Sequence, residues 1–185
     1  MRLFFALQPT AETASSVLEA ATPLLSELQV PAVPASNLHA TLCFLGEVAP
    51  ERLEALRAVA AGVRGAPIEL NFDVFDFWEH PRVLVAGVTI ESRAANALST
   101  ALHEATISAG FTPDSKPLRA HLTLARKILR ADAQKILWPQ KISPGFVVRA
   151  DNFVLMESRK GEQGSIYSAV DSWPLYEKEE SRVTQ

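Results

Sequence analysis

Apolar positions along the chain switch repeatedly between strand-like runs and helical stripes. Residues 2–7 form a short apolar run stopped by Pro9, which reads as a strand. Residues 10–28 then carry leucines and alanines at helical spacing, with Thr10 placed as N-cap and Glu12 in the first turn. Pro23 is expected to kink or divide that helix. After a loop holding Pro31 and Pro34, residues 38–45 predict a strand ended by Gly46, and residues 50–63 a helix with Leu53, Leu56, Val59 and Ala60 along one stripe. The first half thus reads strand, helix, strand, helix.

The second half repeats that order. Residues 68–77 and 83–90 predict a strand pair joined by a turn at His80, Pro81 and Arg82, followed by a helix over 92–109 closed by Gly110. A strand over 118–125 comes next, then a short helix near 131–137 and strands over 146–157 and 165–172. The repetition predicts two related lobes facing each other across a cleft. Residues 1–176 are read as one two-lobed domain and residues 177–185 as a solvated, flexible tail.

Composition narrows the setting. The chain has 185 residues, 48% of them hydrophobic, enough for one buried core. A net charge of -3 removes the overall basic field expected of a protein that coats duplex nucleic acid, so any nucleic acid would be gripped locally, at an end or a single base. Cys43 is the one cysteine, which forbids an internal disulfide. The early apolar run is cut by Gln8 and Pro9 and no apolar stretch is long enough to cross a membrane, so the expected location is the cytoplasm.

The chemistry concentrates in a doubled pattern, His-x-Thr-Leu, at His39 to Leu42 and at His121 to Leu124. On a strand, residues two apart share a face, so His39 projects with Thr41 and His121 with Thr123. A regular strand also puts Cys43 on the face of His39 and Thr41, with Ala40, Leu42 and Phe44 behind. An isolated strand histidine is commonly structural; the repetition points instead to a pair. Two imidazoles suit phosphodiester chemistry, because the neutral one takes a proton from water while the protonated one gives a proton to the departing oxygen. The threonine hydroxyls can hydrogen-bond the phosphate oxygens as charge gathers there. A thiol nucleophile at Cys43 is disfavoured by its buried position and lack of basic neighbours. The histidines and cysteine lack metal-ligand spacing, and no metal or cofactor is expected.

The stretches from Asn37 to Glu47 and from His121 to Arg126 resemble the two signature motifs of the 2H phosphoesterases. Within them the chain is most similar to the LigT/ThpR family of RNA 2′,3′-cyclic phosphodiesterases, often labelled 2′-5′ RNA ligases. The opening Arg2 to Leu7, the middle Pro81 to Leu84, and Glu157, Ser158, Gly164, Tyr167, Trp173 and Pro174 carry the likeness along the chain. The resemblance implies an α+β, bilobal fold with antiparallel sheets around a central cleft and helices on the outer faces. It also implies metal-independent hydrolysis of 2′,3′-cyclic phosphates, on RNA ends or small nucleosides, to 2′-phosphates. His39 and His121 then become the catalytic pair, His39 as acid toward the leaving 3′ oxygen and His121 as base toward water. Thr41 and Thr123 become the phosphate-binding threonines.

The phosphate clamp is left to two arginines. Arg119 shares the face of His121 on a regular strand, whereas Arg126 lies on the other face unless a bulge or the strand's end redirects it. Tyr167 and Phe4 are candidates to hold the terminal base by stacking, with Trp78 and Trp173 as further aromatic candidates. Lys127 and Arg130 are expected to be solvated or to touch the RNA backbone. No obligate protein partner or membrane contact is indicated, and a monomer is expected. Two other activities fit the same pocket: reversible 2′-5′ end-joining, and binding of RNA ends or nucleotides without turnover.

Overall fold

A computed structural model gives the fold and describes residues 1–162 and 164–176. The tail expected at 177–185 lies outside the described residues. In chain order the elements are β1 (Arg2–Leu7), α1 (Ala11–Glu27), β2 (Ala40–Glu47), α2 (Leu53–Gly62), β3 (Ile68–Trp78), β4 (Val83–Gly87), α3 (Arg93–Ser108), β5 (His121–Arg126), α4 (Arg130–Ala133), β6 (Gln140–Ala150), β7 (Asn152–Gly161) and β8 (Gly164–Pro174). The helix starts follow their capping chemistry. Thr10 Oγ1 accepts the Thr13 N–H at 3.2 Å and Ser92 Oγ accepts the Ala95 N–H at 3.3 Å, each satisfying an amide that the first turn leaves unpaired. The helix α1 runs through Pro23 without dividing, with Ala14, Val17, Ala21 and Leu25 buried along one stripe.

The strands form two four-stranded antiparallel sheets, ordered β2-β1-β7-β8 and β5-β4-β3-β6. The orders match position for position: β2, which His39 immediately precedes, and β5, which His121 opens, are each the edge of a sheet and pair with the strand that precedes them across a helix. The helices brace across the pair. The helix α1 packs on β5 and β6 of the other sheet, and α3 packs on β2. Leu3, Phe5 and Leu7 of β1, Leu84 and Ala86 of β4, and Leu98 and Leu102 of α3 accordingly join one continuous core. Phe4 and Ala6, pointing the other way from β1, meet Val154 and Met156 in a separate small cluster on the cleft side. Among the described residues no helix is long and apolar enough to cross a membrane.

Several predicted boundaries shift: β5 starts at His121 rather than 118, α4 ends at Ala133, and β6 starts at Gln140. The run 146–157 is not one strand: it breaks at Asp151, so β6 ends in one sheet and β7 begins in the other. The chain changes lobes there, and the Asp151 carbonyl accepts the Leu175 N–H at 2.7 Å. Apolar continuity hides such a crossing, because both flanking segments bury residues in the same core. Gly46 does not end β2, which continues to Glu47; Gly46 instead adopts φ 69° at an irregularity opposite Leu3. The strand β4 stops at Gly87, leaving Ile90 85% exposed in the loop before α3.

Candidate functional site

The edges β2 and β5 approach each other where the two sheets meet. Each carries a bulge directly after its His-x-Thr element. In β2, Phe5 pairs with Cys43 and Ala6 with Thr41, leaving Leu42 as the extra residue; in β5, Leu84 pairs with Ala125 and Val85 with Thr123, leaving Leu124. A bulge inverts the alternation beyond it. Cys43 therefore turns into the main core beside Ala40 and Leu42, and Phe44 turns to the cleft side against Phe4, the reverse of the faces a regular strand predicts. The same inversion in β5 buries Ala125 and carries Arg126 round to the face of Thr123.

A bulge also frees a backbone carbonyl, and both are taken up by the opposite lobe or its helix. Ser99 Oγ of α3 donates to the Leu42 carbonyl at 2.6 Å, and the Val33 N–H donates to the Leu124 carbonyl at 2.8 Å. Buried carbonyls need such partners, so the bulges are held in place rather than tolerated.

The histidines are oriented alike. His39 Nδ1 lies 2.8 Å from the Asn37 carbonyl and His121 Nδ1 lies 2.7 Å from the Arg119 carbonyl, in each case two residues back along the chain. A carbonyl only accepts, so Nδ1 carries the hydrogen and donates it, and Nε2 keeps its lone pair for the cleft. Aromatic rings limit both imidazoles. Phe4 and Tyr167 stand 4.8 and 4.7 Å from the His39 ring, and Trp78 stands 4.3 Å from the His121 ring.

Burial lowers the pKa of His39 from an ordinary 6.5 to about 4; the Asn37 carbonyl opposes the shift, while positive charge at His121 and Arg126 adds to it. His121 is lowered too, again chiefly by burial, with Arg119 and Arg126 contributing and the Arg119 carbonyl opposing. Both rings are therefore neutral near pH 7 when the cleft holds no anion. Burial pushes the Cys43 thiol up to about 12, which removes it as a thiolate nucleophile.

A cavity of about 780 Å³ opens over His39 and Thr41, lined by Phe4, Phe44, Arg126 and Tyr167. A smaller one of about 350 Å³ includes Thr123 and shares Arg126 and Tyr167 with it. Arg126 sits between them, its Nη2 donating to the Tyr167 hydroxyl at 3.3 Å. The structure thus brings together His39, Thr41, Arg126, Phe4 and Tyr167, with Thr123 reached through the same arginine. Arg119 lies on the His121 side, lining a cavity with His121 and Thr41, where it pairs with Asp76 at 3.7 Å and has its guanidinium carbon 4.0 Å from the centre of the Trp78 ring. Trp173 packs against Phe5 and Phe153 in the core, away from the cleft. Lys127 is exposed at the mouth of the smaller cavity, while Arg130 pairs with Glu79. Among the described residues no group of three or more His, Cys, Asp or Glu is placed to hold a metal ion.

One contributor escapes sequence reasoning. Asn37 supplies the carbonyl that fixes His39, and its side-chain amide donates to the Ser165 carbonyl at 2.9 Å, tying the entry of β2 to β8 beside Tyr167. The only signal is positional: Asn37 and Arg119 each stand two residues before a motif histidine.

Comparison with known proteins places this geometry. A model of the 2′-5′ RNA ligase superfamily matches residues 9–162. The chain is 30% identical over 177 residues to the RNA 2′,3′-cyclic phosphodiesterase of Escherichia coli (strain K12), covering 94% of this chain and 96% of that protein. It is 35% identical over 133 residues to the protein of the same name from Archaeoglobus fulgidus, covering 68% of this chain and 72% of that relative. Among solved structures, E. coli LigT complexed with 3′-AMP superposes with a TM-score of 0.83 at 27% identity, over 95% of this chain and 98% of that one. A protein from Thermus thermophilus shares the fold with a TM-score of 0.79 at 24% identity, over 96% of this chain and 100% of that one.

Proposed function

Because the chain belongs to the 2′-5′ RNA ligase superfamily, we propose that it opens 2′,3′-cyclic phosphates, at RNA ends or in small nucleosides, to 2′-phosphates without a metal ion. The observation that carries this reading is the matched pair of imidazoles, each with Nδ1 tied to a carbonyl and Nε2 left for the cleft. His121, neutral, accepts a proton from the attacking water. His39 gives its proton to the 3′ oxygen as the P–O3′ bond breaks, and the phosphate stays on the 2′ oxygen. Tyr167, partly exposed beside His39, supports this direction: a base stacked on it brings its own ribose, and with it the leaving oxygen, to that histidine.

A low pKa at His39 is reconciled with an acid role by the substrate itself. The phosphodiester anion offsets the burial that depresses the imidazolium, so His39 gains its proton as the anion binds. Arg126 and the hydroxyls of Thr41 and Thr123 hold the non-bridging oxygens, with bonds that strengthen as charge develops. The guanidinium and the two hydroxyls of this set suit an anion.

The test is turnover of adenosine 2′,3′-cyclic phosphate by His39→Ala and His121→Ala. Each is expected to lose about 10²–10⁴-fold in kcat while calorimetry still detects binding of adenosine 2′-phosphate. Parent-like turnover by either variant would show the acid–base pair to be wrongly assigned.

A further inference from the structure

The strand β8 is the edge of its sheet, and its first residues extend past the strands that support the rest. The register of β1 against β7 ends at Arg2 and Ser158. Beyond it Arg159, Lys160 and Gly161 pair with Ile166, Ser165 and Gly164 as a two-stranded ribbon that overhangs the sheet. Arg159, Lys160, Ser165 and Ile166 are all exposed, so the ribbon buries none of these side chains. Two strands without a buried face are marginal in water. Tyr167 stands at the root of the ribbon, opposite Ser158.

Asn37 supplies what the ribbon lacks. Its side-chain Nδ2 donates to the Ser165 carbonyl at 2.9 Å, and its own carbonyl accepts from His39 Nδ1 at 2.8 Å. The residue closes a 3-10 turn over Ala35–Asn37, where its N–H donates to the Pro34 carbonyl at 2.8 Å. A backbone fixed in this way gives the side chain a firm base from which to hold the ribbon. Asn37, Ser165 and Tyr167 all line the smaller cavity, and Lys160, Ser165 and Tyr167 line the larger one over His39. The Tyr167 ring lies 4.7 Å from the His39 ring. A base gains the full benefit of stacking on Tyr167 only where that ring is already in place, because ordering it on binding costs part of the gain. We infer that Asn37 is a positioning residue that sets the preference for a substrate carrying a base: its amide latches the ribbon, and the latched ribbon keeps Tyr167 beside His39. This deepens the reading under Proposed function and rests on it.

The experiment compares adenosine 2′,3′-cyclic phosphate with methyl β-D-ribofuranoside 2′,3′-cyclic phosphate, which offers the same cyclic ester and no base. The readout is the ratio of their kcat/KM values, which normalises for any change in overall rate. The parent should favour adenosine by about tenfold, the order expected of one stacked base. Asn37→Ala should cut that ratio by about 2–10-fold, the effect of one hydrogen bond, and through KM rather than kcat. Asn37→Gln keeps an amide donor and should hold more of the ratio than Asn37→Ala. Limited trypsin digestion reads the latch without the reaction. Cleavage after Arg159 and Lys160, located by mass spectrometry, should quicken in Asn37→Ala by about the same 2–10-fold. A ratio that Asn37→Ala leaves at the parent value, or equal losses on both substrates, overturns the role in base preference, and unchanged cleavage overturns the latch. A parent that leaves both cyclic phosphates intact overturns the hydrolytic reading beneath it, while the digestion still decides the latch.

Discussion

Leu42 and Leu124 are the same residue in two lobes: each is the unpaired residue of a bulge immediately after a His-x-Thr element, and each offers its freed carbonyl to a donor outside its own sheet. The consequence lies two residues further on. There the inverted alternation delivers Phe44 from one lobe and Arg126 from the other to the lining of the same cavity. An aromatic and a cation thus occupy equivalent positions, so the lobes share a backbone and differ in what they present to a ligand.

Ser99 is expected to be needed for that inversion. Ser99→Ala leaves the buried Leu42 carbonyl without its donor, at a cost of about 1–3 kcal/mol in unfolding free energy. Urea denaturation followed by circular dichroism measures it. A variant as stable as the parent would mean that the bulge does not depend on α3.

Arg126 connects electrostatics to binding. Its charge lowers the pKa of both His39 and His121, so Arg126→Ala should raise both. Titration of the imidazole carbon-bound protons by NMR reads the change directly. The same variant should lose about 10²-fold or more in kcat/KM, as expected for removal of an oxyanion donor. Unshifted histidines would place Arg126 outside the site.

How much of this is legible in the chain depends on the physical signal each feature leaves. The histidine and threonine pairs are legible because a two-residue spacing on a strand fixes a shared face whatever happens later. Thr10 is legible as a cap because its chemistry is local. The bulges at Leu42 and Leu124 are not, since a leucine suits a regular strand and a bulge equally well, and with them the faces of Cys43, Phe44 and Arg126 are lost. The lobe crossing at Asp151 is hidden for a related reason: burial on both sides erases the boundary. The surroundings of Arg119 are not legible either, because a face does not specify a partner, and Asp76 and Trp78 meet its guanidinium from another strand.

The pH dependence follows from the lowered histidines. The free enzyme needs His39 protonated and His121 neutral, and both limbs of its kcat/KM profile belong to groups held below the usual 6.5. The profile should therefore peak below about 6.5 and fall as pH rises through neutrality. Because the bound anion favours the imidazolium, kcat should hold to higher pH than kcat/KM. A kcat/KM maximum at or above pH ~7 would contradict the burial of the pair.

The most direct measurement is phosphorus NMR of adenosine 2′,3′-cyclic phosphate incubated with the protein in EDTA. The account predicts one product, adenosine 2′-phosphate, formed at the same rate with and without the chelator. A 3′-phosphate product would put the leaving oxygen on the wrong side of the site, and a rate abolished by EDTA would replace the histidine pair with a metal.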